Sequence, residues 1–372
     1  MNELRMQMMD RVLNWIASHD DEPPYLLIDR ETLKEKINLI GKGITNSRVF
    51  YAVKANPDIE VLRFINEFNI GFEIASEGEL AILQELKVSP DRIITSNPVK
   101  TFKFLKSAVE HGIDYYAFDS YAEVEKLARY ANGKKVYVRL NVPNEGSEWP
   151  LSKKFGVEIE EAVQLLLYAQ KKGLDPVGIT FHVGSQCTNI YNWYTAIDKA
   201  RQVKELAQKE NIEIKMLNIG GGYPIEYFKK VPNIETIENK INSLLRKSFP
   251  NTEIFIEPGR AVVGDAGVFV SRIIGKAQRG DENWLYIDVG VFNGLMESIG
   301  GIKYPYIVGS RGEEKEWTIA GPSCDSFDVV DKSILLPEPD VGSLMLILSA
   351  GAYTTSYASE FNGFSIPKTY LI

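Results

Sequence analysis

Tyr51-Ala52-Val53-Lys54-Ala55-Asn56-Pro57 is the stretch on which the reading of this chain turns. An apolar run over residues 49–53 ends in a single lysine, and Asn56-Pro57 stops the strand and opens a helix. Lys54 therefore stands at the C-terminal tip of a buried strand, where a hydrated point charge is normally unwelcome. Two readings compete. The lysine can snorkel to the rim along its own methylenes. Or it can be held half-desolvated, its amine neutral often enough to form a Schiff base with an aldehyde cofactor. What decides lies downstream.

Strand-like apolar runs recur at 49–53, 71–74, 92–95, 115–118, 136–140, 177–181, 216–219 and 253–256. Helical periodicity fills the gaps between them, over 75–86, 102–111, 121–130, 159–172 and 193–209. Eight strands alternating with helices predict an α/β protein built on a (β/α)₈ TIM-like barrel, with a doubly wound sheet as the alternative. Upstream, 1–19 reads as an amphipathic helix and 25–28 as a strand, and Asp29 caps the helix that follows. After Gly259 the rhythm changes to short β-branched strands at 267–274, 285–289, 317–320 and 344–348. These predict an antiparallel β-domain, sandwich- or barrel-like, into which 25–28 can pair. The expected division is a barrel over 30–260 and a β-domain made of 1–29 plus 261–372.

At 372 residues the chain is long enough for two such domains, and 44% hydrophobic with 25% charged residues is the composition of a soluble globular protein. A net charge of −8 argues against nucleic acid or an anionic membrane as partner. Two cysteines, Cys187 and Cys324, build no disulfide framework, so a reducing compartment is the default. Residues 1–22 lack the apolar core of a signal peptide, and no stretch is apolar enough to span a membrane. A cytoplasmic protein is expected, with no metal site.

In a barrel the chemistry sits at the C-terminal strand ends. Here these are Lys54, Glu73, Ser96, Asp119, Arg139, His182, Gly220-Gly221-Gly222 and Glu257. The glycine loop follows strand seven, where backbone N–H groups of barrels commonly take phosphate, and glycine lets the backbone come close to an anion. Alone, the triplet is more often a tight turn. Arg260, in Glu257-Pro258-Gly259-Arg260, can add a bidentate contact to the same phosphate. Ser185 is a further donor. His182 is a rim histidine or, as readily from its own segment, a satisfied core histidine. Glu257, pointing inward, can pair with a protonated ring nitrogen. An aldehyde for Lys54, a phosphate for the glycine loop and a pyridinium for Glu257 together imply pyridoxal 5′-phosphate.

With these residues in view the chain resembles the fold-type III pyridoxal-phosphate decarboxylases, the ornithine decarboxylase family, over nearly its whole length. The matching motifs are Tyr51-Ala-Val-Lys-Ala-Asn56, Phe181-His-Val-Gly-Ser185, Gly220-Gly-Gly222, Glu257-Pro-Gly-Arg260, Gly321-Pro-Ser-Cys-Asp325 and Gly351-Ala-Tyr353. The resemblance implies that Lys54 carries the cofactor, that His182 stacks on its ring and that Glu257 meets its nitrogen. It implies that Ser185, Gly222, Arg260 and Tyr353 hold the phosphate, with Tyr353 also near the substrate, that Glu73, Gly221 and Gly259 belong to the cofactor site, and that Arg139 is a charge partner near Lys54 and Glu257. Cys324 and Asp325 would act in a neighbouring subunit's site, Cys324 returning a proton to Cα and Asp325 meeting the substrate's distal cation. Lys154 would pair across the dimer with Asp328. A homodimer with shared sites is thus implied.

Two positions depart from the family. Glu73 replaces its usual aspartate, and the specificity element, 291–304, has Gly300-Gly301 where relatives place an acid, leaving Glu297 as its one carboxylate for the substrate. The implied activity is decarboxylation of a basic L-amino acid, ornithine or lysine first. A bulkier or conjugated amino acid and meso-diaminopimelate are the alternative substrates. Racemisation lacks its two-base arrangement, and a non-catalytic homologue would not need Lys54 and Cys324 together.

Overall fold

The computed structural model describes residues 3–149 and 154–372. Eight strands, Ser47–Ala52, Gly71–Glu73, Ile93–Ile94, Tyr115–Phe118, Lys135–Arg139, Asp175–Thr180, Met216–Asn218 and Glu253–Ile256, form one parallel sheet. The eighth pairs with the first, Phe255 opposite Arg48. The two-residue third strand reaches the fourth through a bridge between Thr95 and Tyr116, with Thr95 N–H donating to Tyr115 O at 3.1 Å. Through that bridge the sheet closes into a (β/α)₈ barrel. Alternation along each strand turns Phe50, Ile94, Ala117, Tyr137, Met216 and Phe255 into a cluster of their own inside it. The opposite faces pack on the helices in one continuous core. Crossover helices start where a polar side chain meets their free N–H groups: Asp58, Ser76, Thr101, Ser120 and Asn233 each accept from the first turn.

The second sheet is organised on Gly267–Arg279. This strand runs antiparallel to Tyr25–Ile28 and Leu344–Leu348, and beyond an irregularity at Ile273/Gly275 it pairs antiparallel with Glu282–Ile287. The expectation of a purely antiparallel domain is corrected in two places. Glu282–Ile287 runs parallel to Glu314–Ala320, and Tyr25–Ile28 parallel to Lys368–Leu371. Three strands of this sheet, Tyr306–Val308, Val329–Pro337 and Lys368–Leu371, escaped the sequence reading. The first is three residues long. The second carries Asp331-Lys332-Ser333 in its middle, with Ser333 at φ +58°, which breaks the alternation. Helix Glu3–Ser18 lays Met8, Met9 and Val12 on Leu27, Val268, Val270 and Leu346. Among the described residues no helix is long and apolar enough to cross a membrane.

Asp29 ties the N-terminal helix and the second sheet to the first helix of the barrel. Asp29 N–H donates to Ala266 O, and the Asp29 carboxylate caps the next helix through Thr32 while taking Arg11 at 2.6 and 2.8 Å.

Candidate active site

The first barrel strand ends at Ala52, and Lys54 sits in a 3₁₀ turn, Val53–Ala55, rather than at the strand tip. Loops from both sheets clamp this turn. Ala52 N–H donates to Pro258 O at 3.0 Å, Tyr353 N–H to Ala55 O at 2.8 Å, and Asn56 Nδ2 to Gly351 O at 3.0 Å. Lys54 Nζ lies 3.2 Å from Glu73 Oε2, with the lysine side chain 48% exposed and the acid 2%. Burial works against the ammonium, yet the charges of Glu73, Tyr353 and Glu257 outweigh it and raise the Lys54 pKa above its ordinary range. Lys54 and Glu73 thus form an ion pair at the rim, with the lysine side chain half-exposed. Beside them is Glu79, pushed up to about 7 by burial and by Glu73, and accepting from Ala75 N–H at 2.6 Å. The sequence reading missed Glu79, although Ser76-Glu77-Gly78-Glu79 has the spacing of a capping box.

Glu257, after the eighth strand, is held from below. Its Oε1 accepts from Asn218 Nδ2 at 2.5 Å and from the Ser96 hydroxyl. Ser96 in turn meets Tyr137 Oη at 2.7 Å, and Tyr137 donates to Thr95 O. All four side chains are buried. Burial and the Glu73 charge raise the Glu257 pKa, while the bonds from Ser96 and Asn218 oppose that rise. Asn218 and Tyr137 are further residues that sequence reasoning missed; the one visible signal is an asparagine interrupting the apolar end of strand seven. Arg139 is half-buried over Phe155, its pKa lowered by burial against the charges of Glu257, Asp119 and Glu73.

His182 Nδ1 accepts from Gly184 N–H at 3.0 Å, which leaves the ring hydrogen on Nε2. Burial, then Arg139 and Lys54, hold its pKa well below the usual value, so the ring is neutral. The glycine loop packs against this segment at the limit of contact. A Cβ on Gly222, at φ +93°, would lie 2.3 Å from Gly184 O, and one on Gly221 would lie 2.3 Å from Glu257 O. Only glycine lets the three loops meet.

Arg260 begins the short helix Arg260–Val263. Its Nη1 donates to Tyr227 Oη at 2.6 Å and to Glu297 Oε2 at 2.7 Å, and its Nη2 to Glu297 Oε1 at 2.7 Å. Nη2 and Nε also reach Ser185 Oγ at 3.1 and 3.4 Å, and the Tyr353 ring centre is 4.9 Å from the guanidinium carbon. Glu297, expected to face the substrate, is buried here, and Arg260 engages its carboxylate on both oxygens.

Lys54, His182, Ser185, Gly222, Glu257, Gly259, Arg260 and Tyr353 line one cavity at the barrel rim. The donor set fits pyridoxal phosphate: an amine for the aldehyde, a carboxylate for the pyridine nitrogen, and a hydroxyl beside a glycine loop for the phosphate. Cys324 and Asp325 do not line that cavity. Both are exposed on a tight loop, Cys324 Sγ 3.4 Å from Asn362 Oδ1 and Asp325 accepting from Phe327 N–H at 2.8 Å. Asp328 closes the loop. It is buried, taking Val291 N–H at 2.8 Å and Ser323 N–H at 3.0 Å; Lys154, expected to meet it across a dimer, is exposed within its own chain, 5.0 Å from the Phe155 ring centre. Among the described residues no cluster of three or more His, Cys, Asp or Glu could hold a metal.

The profile described as "Pyridoxal-dependent decarboxylase, pyridoxal binding domain" matches residues 30–264. The lysine/ornithine decarboxylase of Selenomonas ruminantium is 34% identical over 352 residues, covering 94% of this chain and 89% of that protein. The cadaverine complex of the Vibrio vulnificus lysine/ornithine decarboxylase superposes with a TM-score of 0.90 at 27% identity, covering 100% and 99% of the two chains. The arginine decarboxylase of Paramecium bursaria Chlorella virus gives 0.91 at 27% identity, covering 98% and 100%.

Proposed function

The chain belongs to the pyridoxal-dependent decarboxylases, and from that premise we propose that it removes the α-carboxyl group of a basic L-amino acid, ornithine or lysine, giving a diamine and CO₂. The observation that carries the proposal is one cavity lined by both Lys54 and Glu257, the lysine paired with Glu73 and the carboxylate held by Ser96 and Asn218. Bound pyridoxal phosphate supplies the electron sink for the pair released when the bond to the carboxylate breaks. Lys54 Nζ binds the cofactor aldehyde, and Glu73 is the nearest carboxylate to take up or return the lysine proton. Ionised Glu257 keeps a proton on the pyridine nitrogen. The neutral His182 ring offers an uncharged face for stacking, and the Ser185 hydroxyl and the glycine loop orient the phosphate.

The remaining roles belong to a second subunit. Cys324 and Asp325 lie on an exposed loop next to Phe327, which is 58% exposed, a position suited to completing the site of a partner in a homodimer. There Cys324 Sγ returns a proton to the substrate Cα and Asp325 meets the distal cation. We take 30–260 as the cofactor-binding unit and 1–29 with 261–372 as the unit that reaches the partner, in a cytoplasmic enzyme.

One observation favours a second substrate reading. With Glu297 committed to Arg260 and glycine at 300 and 301, the turn Met296–Gly300 offers no free carboxylate to a distal ammonium. A longer or conjugated amino acid would fit that less acidic end. The test is kcat/KM for ornithine, lysine, arginine and meso-diaminopimelate, for the native enzyme and Asp325→Asn. Turnover of ornithine and lysine with weak discrimination, and a KM raised by the substitution while cofactor absorbance is kept, is expected. No turnover of any of the four would overturn the basic-amino-acid reading in favour of the conjugated one.

A further inference from the structure

Arg260 and Glu297 are 3% and 2% exposed and come from different sheets' connections, one from the rim of the barrel and the other from the turn Met296–Gly300. A guanidinium has five N–H donors. Two meet the Glu297 carboxylate, one meets Tyr227 and two share the Ser185 hydroxyl, while the Tyr353 ring lies 4.9 Å from the guanidinium carbon. This arginine therefore has no N–H group left over for a phosphate. Its positive charge, which would otherwise dominate the anion cradle, is matched by a buried carboxylate.

We propose that Glu297 is a positioning residue that acts as a built-in counter-ion, competing with the cofactor's phosphate group for Arg260 and so setting how tightly the cradle holds a phosphate monoester. The proposal rests on reading the cavity as a pyridoxal phosphate site. Ser185 Oγ accepts from Arg260 and keeps its own hydrogen to donate, so the arginine acts on the anion through a hydroxyl as well as through its field. The carboxylate accepts from the same Nη2 as that hydroxyl, a like charge to the phosphate in a poorly screened interior. Glu297→Gln leaves one oxygen to accept from Arg260. Its amide nitrogen accepts nothing, so one N–H and the whole positive charge become available to an incoming anion. Damage to the fold cannot imitate a gain in affinity.

The experiment titrates cofactor-stripped protein calorimetrically with inorganic phosphate, pyridoxal phosphate and pyridoxal. Glu297→Gln should bind inorganic phosphate and pyridoxal phosphate about tenfold tighter or more, a change that one lost like-charge contact readily supplies, with pyridoxal unchanged. Glu297→Asp, which keeps the charge, should show little gain. Equal or weaker phosphate binding by a folded Glu297→Gln overturns the proposal. Should that variant not fold, Glu297→Ala, which also removes the negative charge and keeps Arg260, carries the same expectation. Equal or weaker inorganic phosphate binding by folded Glu297→Ala overturns the proposal as well. Failure of the underlying reading looks different: native stripped protein would then bind pyridoxal phosphate no better than pyridoxal.

Discussion

Ser96→Ala isolates what the buried network does for Glu257. The Ser96 hydroxyl donates to Glu257 Oε1, Asn218 Nδ2 donates to the same oxygen at 2.5 Å, and Tyr137 keeps Thr95 O as a partner at 2.9 Å when Ser96 is gone. The change removes one oxygen and leaves no new polar group stranded. A hydrogen bond to a charged group is worth about 1.5–3 kcal/mol, and a pKa unit about 1.4 kcal/mol, so losing it raises the Glu257 pKa by about one to two units. The sign follows from what the bond favours: it stabilises the ionised carboxylate, whose pKa burial and Glu73 already raise. Without it, a higher pH is needed to ionise Glu257 and so to keep the cofactor nitrogen protonated. The acidic limb of kcat/KM for CO₂ release should therefore move about one to two units alkaline, with the plateau above it largely kept. If the limb stays in place while the plateau drops, Ser96 is a packing residue and Glu257 does not govern the profile. A shift toward acid would reverse the electrostatic argument altogether.

Two further outcomes are expected. Lys54→Ala and Cys324→Ala should each be nearly inactive, yet equal mixing with free subunit exchange should give about a quarter of native activity, because half the dimers then carry one intact site by two-fold symmetry; no recovery despite exchange would put both residues in one subunit's site. Asp29→Asn should cost about 2–3 kcal/mol in urea unfolding at pH 7, since Asp29 is fully buried and takes two bonds from Arg11 and two from Thr32. Those bonds outweigh burial and depress its pKa, so its contribution is present above the unfolded value near 3.9 and is lost as pH falls through the folded one. Native and variant stabilities should converge as pH falls below about 4, and a gap that stays constant down to the acid transition would refute the linkage.

The barrel was legible because its strands are buried on both faces and read as unbroken apolar runs, while the helices between them keep their period. Tyr121–Tyr130 and Phe102–His111 fall where their spacing puts them. What was not legible is pairing. Glu297 has the sequence position of a substrate acid, and nothing local announces that Arg260, 37 residues earlier, takes both its oxygens. Asp328 looks like a surface acid in a polar loop, but two backbone N–H groups draw it inside. Lys54 reads as a strand end because Val53-Lys54-Ala55 carries no turn residue; the turn is imposed by Pro258 and Tyr353 from other loops. Parallel pairing of Tyr25–Ile28 with Lys368–Leu371 is equally invisible locally, since a strand's sequence does not state the direction of its neighbour.

That same strand carries a kinetic consequence. Tyr25 finds its antiparallel partner at Val270 and its parallel one at Lys368, so neither edge can be satisfied until the whole barrel has been synthesised. At about 5–20 residues per second on the ribosome, the first pairing is delayed by roughly ten to fifty seconds. Through that interval Leu26, Leu27 and Ile28, fully buried in the finished fold, are an unpaired apolar edge on a nascent chain, the kind of segment that chaperones bind and that aggregation starts from. High contact order makes closure of the second sheet the slow event of folding, and the N-terminal helix, whose Met8, Met9 and Val12 pack on that sheet, is set to dock only after it.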